Sequence, residues 1–466
     1  MTKTTNTKRG KQVRRPLTAI HAGAAGLDVG ATFHVVAVPP DRADDPVRTF
    51  QSFTGDLQRL ADWLTEVGVT TVAMESTGVY WIPVFEILEA RGFEVLLVNA
   101  RDAKNVPGRK TDVNDAQWLQ QLHEHGLLRG SFRPNDRVVP LRALLRHREG
   151  LVDQAAAYIQ RMQKALMQMN VQLHHVVADI TGVTGMKIVR AIVRGTHDPD
   201  ALAQYRDNRC KESIATIRNA LVGNYRPEHL FALRQALELY DFLQTKVAEC
   251  DHEIEGILRD LNAERPTPAA ALPAVRHASG RNEPGFAVRE SLYTLLGADL
   301  SGADLSQIHG LGPYSILRLV AECGDDMRKW PTAKHFTSWL TLAPGNKISG
   351  GRVLSSKTRR SSNRAAALLR IAAVNIGRTQ TAIGAFYRRL AARLGKAKAV
   401  TATARKLAVL FYNALRFGLD YTDPVASYYE ERYRQRVLHS LQRRAHQMGF
   451  ALVPSPEQQV VVAGVS

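Results

Sequence analysis

The sequence predicts three parts: an N-terminal α/β domain, a long helical arm, and a mostly α-helical C-terminal domain. Three observations predict it. Short apolar runs separated by turn residues open the chain and then alternate with helical periodicity. A long middle stretch keeps helical spacing almost throughout, and a proline-rich segment parts it from a second set of helices. At 466 residues the chain has room for two or three domains with cores of their own.

Residues 1–24, with Lys3, Lys8, Arg9, Lys11, Arg14 and Arg15 and little apolar content, read as a flexible basic arm. Three apolar or alternating runs follow, 26–30, 33–38 and 47–53, read as consecutive hairpin-linked strands. Then come a helix at 56–66, a buried strand at 69–74, a helix at 79–91 and a strand at 93–98. Three antiparallel strands followed by alternating helix and strand describe a domain of the ribonuclease H kind, bounded here at 25–135. Its last part holds a basic loop, 101–109, and a helix for which Thr111 is the expected cap, with Asp112 in the first turn.

From 136 to about 177 the sequence is nearly all helical, and Ile159, Met162, Leu166, Met169 and Leu173 recur at three- and four-residue spacing. Such a stripe is an interhelical seam. A second long helix, 228–261, can pair antiparallel with the first, so 136–262 is expected to be a coiled-coil arm. Pro266, Pro268, Pro273 and Pro284 mark 263–287 as a linker. The C-terminal domain, 288–422, contains Gly310-Leu311-Gly312-Pro313 leading into a helix at 315–322, a turn that suits a helix-hairpin-helix phosphate contact or an ordinary reversal. Helices at 363–377, 382–393 and 399–417 follow, and 423–466 reads as an extension whose end beyond 451 is a loose tail.

The chain carries 62 Lys and Arg against 44 Asp and Glu, a net charge of +18. The excess is local: from 327 to 419 there are 19 Lys and Arg in 93 residues and no Asp or Glu. A block of that kind fits a polyanion such as nucleic acid. No apolar signal region follows the basic N-terminus and no run of about 18 apolar residues occurs, so a soluble intracellular protein with no membrane partner is expected. Cys210, Cys250 and Cys323 are far apart and lack partners at zinc spacing, which predicts reduced thiols.

Two sets of residues carry candidate chemistry. Asp28 lies in an otherwise apolar strand, where a carboxylate is costly unless paired or bound to a cation. Glu75 follows the 70–74 strand, and Asp112 and Asp115 are three apart on one helical face. Four carboxylates converging on one point suit hard divalent ions held by oxygen. The second set is the stretch from Asn346 to Lys357, where Ser349 precedes Gly350 and Gly351 among the cations Lys347, Arg352 and Lys357, with Arg359, Arg360 and Arg364 just beyond. Ser355, Ser356, Ser361 and Ser362 compete with Ser349, but only Ser349 precedes a glycine pair; Ser355 and Ser356 could bind phosphate or cap the next helix.

At these residues a resemblance becomes specific. Asp28 in Leu-Asp-Val-Gly, Glu75 in Met-Glu-Ser-Thr-Gly, and Asp112 with Asp115 in Lys-Thr-Asp-Val-Asn-Asp-Ala resemble the DEDD tetrad of a RuvC-like domain. That tetrad occurs in insertion-sequence transposases with a second, serine-bearing transposase domain. Segments 304–324, 339–351 and 363–366 also resemble that family, and the similarity runs from Gly26 to Tyr421. It implies a prokaryotic DNA recombinase, cytoplasmic and nucleoid-associated, guided by a structured bridge RNA and acting on donor and target double-stranded DNA. It implies a site of Asp28, Glu75, Asp112 and Asp115 holding two Mg²⁺ ions, with Mn²⁺ as a substitute, and Ser349 as nucleophile in a homo-oligomer, dimer to tetramer. Lys110, Gly310, Gly312, Lys347, Gly350, Gly351, Arg352, Lys357, Arg359, Arg360 and Arg364 are the expected nucleic-acid contacts. A metal-dependent RuvC-like nuclease or junction resolvase, a site-specific invertase and a non-catalytic scaffold are the competing readings.

Overall fold

The computed structural model describes residues 18–76, 78–99, 115–263, 265–266, 271–272, 274, 282–297, 304–418 and 425–453. The chain divides into two compact units, Met1–Arg133 and Pro134–Ser466.

In the first unit β1 (Ala24–Val29), β2 (Phe33–Ala37), β3 (Val47–Gln51), β4 (Thr71–Glu75) and β5 (Glu94–Val98) form one sheet in the order β3-β2-β1-β4-β5. The β1–β2 and β2–β3 pairs are antiparallel, and β1–β4 and β4–β5 are parallel. Among the described residues three helices accompany the sheet: α1 (Thr54–Glu66), α2 (Trp81–Ala90) and α3 (Asp115–Glu124). Side chains alternate across a strand, so parity assigns each its layer. Leu27, Val29, Val72 and Met74 join Leu57, Leu60 and Leu64 of α1 and Val84 and Leu88 of α2 in one core. On the opposite face Ala73 and Val98 meet Leu119 of α3. This mixed sheet is consistent with the expected RuvC-like fold. Glu75 differs slightly from expectation, being the last residue of β4 and not the first beyond it.

The second unit opens with α4 (Val139–Gln168), which ends where Asn170 takes a φ of +57°. After α5 (Val183–Val193) and short helices comes α6 (Pro227–Ala263). Met162 and Leu166 share a core with Leu233 and Leu237, while Arg148 meets Asp251, so α4 and α6 run antiparallel. The Arg148 side chain is fully buried; besides Asp251 it reaches the Asn282 carbonyl at 2.9 Å and the Tyr314 hydroxyl at 3.1 Å. The Gly285 N–H also donates to Asp251, so this end of the expected linker is folded into the cluster.

The remaining helices are α7 (Val288–Gly297), α8 (Pro313–Cys323), α9 (Ala333–Trp339), α10 (Arg364–Ile376), α11 (Ala382–Leu394), α12 (Lys396–Phe417) and α13 (Val425–Gln447). Glu322 of α8 accepts hydrogen bonds from Arg142 at 3.1 Å and from Arg146 at 2.8 Å, tying α8 to α4. Burial alone would raise the Glu322 pKa, but the Arg146 bonds and the Arg142 charge outweigh it and hold it below its ordinary value. Helices α7, α9 and α13 are absent from the sequence reading: α7 and α9 are too short to show a clear period, and α13 is rich in Arg, Gln and Tyr. Cys250 and Cys323 are buried and Cys210 half-buried, all three as free thiols. Among the described residues no helix is long and apolar enough to cross a membrane.

Candidate active site

Register aligns two of the expected carboxylates. The parallel pairing of Leu27 with Met74 brings Asp28 and Glu75 to the next position on neighbouring strands, about 4.8 Å apart at the backbone. By parity both side chains leave the sheet on the face that carries Gly26 and Ala73, the α3 face. Gly26 is what lets α3 settle there: a Cβ at this position would lie 2.2 Å from the Ala116 carbonyl oxygen and 2.3 Å from the Gln120 nitrogen. Asp115, the first described residue of α3, precedes Ala116 on this face, and Asp28, Glu75 and Asp115 are each half-buried. Gly26→Ala should cost about 3 kcal/mol of stability, because helix backbone and not a flexible side chain opposes the new methyl group. A melting temperature of the variant within a degree of the parent would show that α3 does not seat as described.

Asp112 and Lys110 lie outside the described residues. Among the described residues no group of three or more His, Cys, Asp or Glu side chains gathers as a metal site. The two donors the sheet does align, Asp28 and Glu75, are carboxylates, the chemistry a hard divalent cation takes.

Behind Asp115, α3 is anchored by His123, which is buried. Its Nε2 stands 2.8 Å from Thr71 Oγ1, and the Thr71 hydroxyl donates its proton to the Glu94 carbonyl, so His123 Nε2–H is the donor. Desolvation, and then the charge of His21 stacked at 5.0 Å, lower the His123 pKa to about 4. An unfolded His takes its proton near pH 6.5, so the contribution is complete above that value and is lost as pH falls toward 4. It amounts to about 3 kcal/mol. Urea unfolding between pH 7 and 4.5 should show this loss in the parent and a flatter profile in His123→Gln; equal slopes would remove His123 as the cause.

Ser349 ends β6 (Lys347–Ser349), which pairs antiparallel with β7 (Arg352–Ser355). Gly350 and Gly351 have φ of +54° and +76°, the two left-handed residues that a type I′ hairpin turn demands. Nothing lies within 4 Å of a Cβ built on either, so backbone conformation and not crowding within the protein calls for glycine. Ser349 is the cross-strand partner of Arg352, and Lys347 lies two residues back on the same strand. Hydroxyl, guanidinium and ammonium groups thus share one face of an exposed ribbon, with Ile348 and Val353 on the other. No histidine is placed near Ser349 in sequence; the nearest, His335, sits on α9 against Thr332 at 2.8 Å.

The other expected contacts have varied surroundings. Lys357 and Arg360 are exposed, and Arg359 donates to the Ser338 carbonyl at 3.3 Å. Arg364, the first residue of α10, is paired with Glu149 of α4 at 3.2 Å, a carboxylate that Arg318 also engages. The cap of α10 is Asn363, whose Oδ1 accepts from the Ala366 N–H at 2.9 Å, and not Ser355 or Ser356. Gly310 has φ +86° and packs on α10, where a Cβ would meet Ile376 at 3.3 Å. Gly312 caps α8, and a Cβ there would lie 3.7 Å from a Glu283 carboxylate oxygen. Sequence reasoning missed Phe386, Lys398, Arg405 and Lys406, which line a cleft beside β7; the acid-free run already contained them but could not place them.

Comparison with protein families gives two matches. Residues 25–171 match the DEDD transposase domain of the IS110 type, and residues 302–388 match a domain described as transposase, IS116/IS110/IS902 family. Comparison with curated proteins returns no match. The first match contains Asp28, Glu75, Asp112 and Asp115, and the second contains Ser349 and its cations. Both domains are those of transposases, enzymes that cut and rejoin DNA, and a DNA substrate follows.

Proposed function

We propose that this chain, which carries both transposase domains of the IS110 type, is the recombinase of an insertion element and works through a phosphoserine. The observation that carries the proposal is the hairpin: Ser349 stands at an exposed two-glycine turn with Arg352 and Lys347 on its own face. In the first step the Ser349 oxygen bonds to phosphorus, one phosphorus–oxygen bond to deoxyribose breaks, and the released sugar oxygen leaves protonated. In the second, a sugar hydroxyl of another strand attacks the phosphoserine and Ser349 is released. The bond energy is kept for rejoining, which a water nucleophile would not do. Arg352 and Lys347 would hold the phosphate and offset the charge that builds on it.

Asp28, Glu75, Asp112 and Asp115 would hold divalent cation, two Mg²⁺ ions by expectation, which when bound supplies charge neutralisation at the reacting phosphate. The acid-free block from 327 to 419 gives the phosphate contacts, while base pairing with a guide RNA from the same element selects the sites. The working form is a homo-oligomer, from dimer to tetramer.

The test is direct. Protein purified from its host should carry a discrete structured RNA, and with that RNA, Mg²⁺ and DNA bearing the element ends it should yield an SDS-resistant adduct that maps to Ser349. Cut DNA without adduct would replace this proposal by the reading as a water-using nuclease or resolvase.

A further inference from the structure

Beside β7 the second unit holds a cleft of about 1180 Å³. One wall is β7 with the segment after it, and the other is formed by α11 and α12. The hairpin register slips between Lys347 and Ile348, because Lys347 pairs with Ser355 while Ile348 pairs with Val353. Leu354 is therefore the extra residue of a bulge, and it is 69 % exposed, with Val353 at 59 %. Together with Phe386 of α11 they make an apolar lining that a soluble hairpin has no folding reason to display. Four cations, Lys357, Lys398, Arg405 and Lys406, stand around it, and none of the cleft's described lining residues is acidic. Lys406 Nζ lies 4.3 Å from the centre of the Phe386 ring. Desolvation by burial, and then the Arg436 guanidinium of α13, lower the Lys406 pKa.

A duplex offers mainly phosphate and sugar on its outside, for which a flat cationic surface is enough; the apolar lining has nothing to do against it. An unstacked strand offers both a polyanionic backbone and flat apolar bases, and it is bound by cations beside aromatic and apolar side chains. We infer that this cleft holds a short unpaired stretch of substrate DNA, with bases against Leu354, Val353 and Phe386 and phosphates on Lys398, Arg405 and Lys406. The inference rests on the proposed DNA chemistry of Ser349. Val353 projects from the ribbon face opposite Ser349, so the unpaired stretch lies across the hairpin from the scissile phosphate and keeps the strand ends apart from their complements between cutting and rejoining. DNA is favoured over RNA because the cleft shares β7 with the serine hairpin.

The experiment is equilibrium binding by the full chain, without Mg²⁺, of a fluorescein-labelled 12-nucleotide DNA strand, the duplex of that sequence, and the RNA strand of that sequence. Leu354→Gln, an exposed position with little part in folding, should weaken the DNA strand about tenfold and the duplex less than twofold. The double variant Lys398→Gln/Arg405→Gln should weaken the strand and lower its salt slope by about two. Equal losses for strand and duplex, no loss in either variant, or a loss confined to RNA would each overturn the assignment. Binding is read without cutting, so such a failure leaves the Ser349 assignment, which is read from the covalent adduct, unaffected.

Discussion

Ser349→Ala is expected to abolish the covalent protein–DNA adduct and to lower strand exchange by at least about a thousandfold. DNA affinity should stay within about twofold, since Arg352, Lys347 and the wider basic block are retained. Ser349 is exposed at a hairpin turn, so its change should alter folding stability by no more than about 0.5 kcal/mol. Labelled DNA on a denaturing gel reads the adduct, and a thermal melt controls for folding. An adduct that survives in the alanine variant, or that moves to Ser355 or Ser356, would unseat Ser349.

Asp28→Asn should be as damaging to activity, about a thousandfold or more, for an opposite electrostatic reason. Parallel register puts Asp28 and Glu75 side by side on neighbouring strands, and Asp28→Asn would take one charged oxygen donor from the proposed cation site. Added Mn²⁺ should raise the parent's melting temperature and leave that of Asp28→Asn/Glu75→Gln where it was. An unchanged Mn²⁺ response in the double variant would move the cation elsewhere.

Local patterns made the first unit legible. Its strands are short alternating or apolar runs bounded by turns, and the expected order of strands and helices is the observed one. What could not be read was adjacency across the chain: that Asp28 neighbours Glu75 depends on parallel register, and that α3 lies against β1 depends on Gly26 having no side chain. Both are long-range packing facts. The serine hairpin shows a different limit. A glycine pair in sequence suits close approach or positive φ equally, and only the backbone angles decide for the second. Arg364 looked like one more basic-block cation, and its tie to Glu149, 215 residues earlier, left no local trace. Burial of Arg148 was equally unforeseeable, since arginine is rarely enclosed and its partners come from three separate segments.

The antiparallel course of α4 and α6 makes the middle of the chain a loop-out: the polypeptide departs and returns at one place, where Arg148 clamps Asp251. Length added or removed at the far end, in matched helical turns on both helices, would leave that anchorage and everything downstream undisturbed. The two helices are thus tied by a buried ion pair at one end and by an apolar core with the intervening helices at the other.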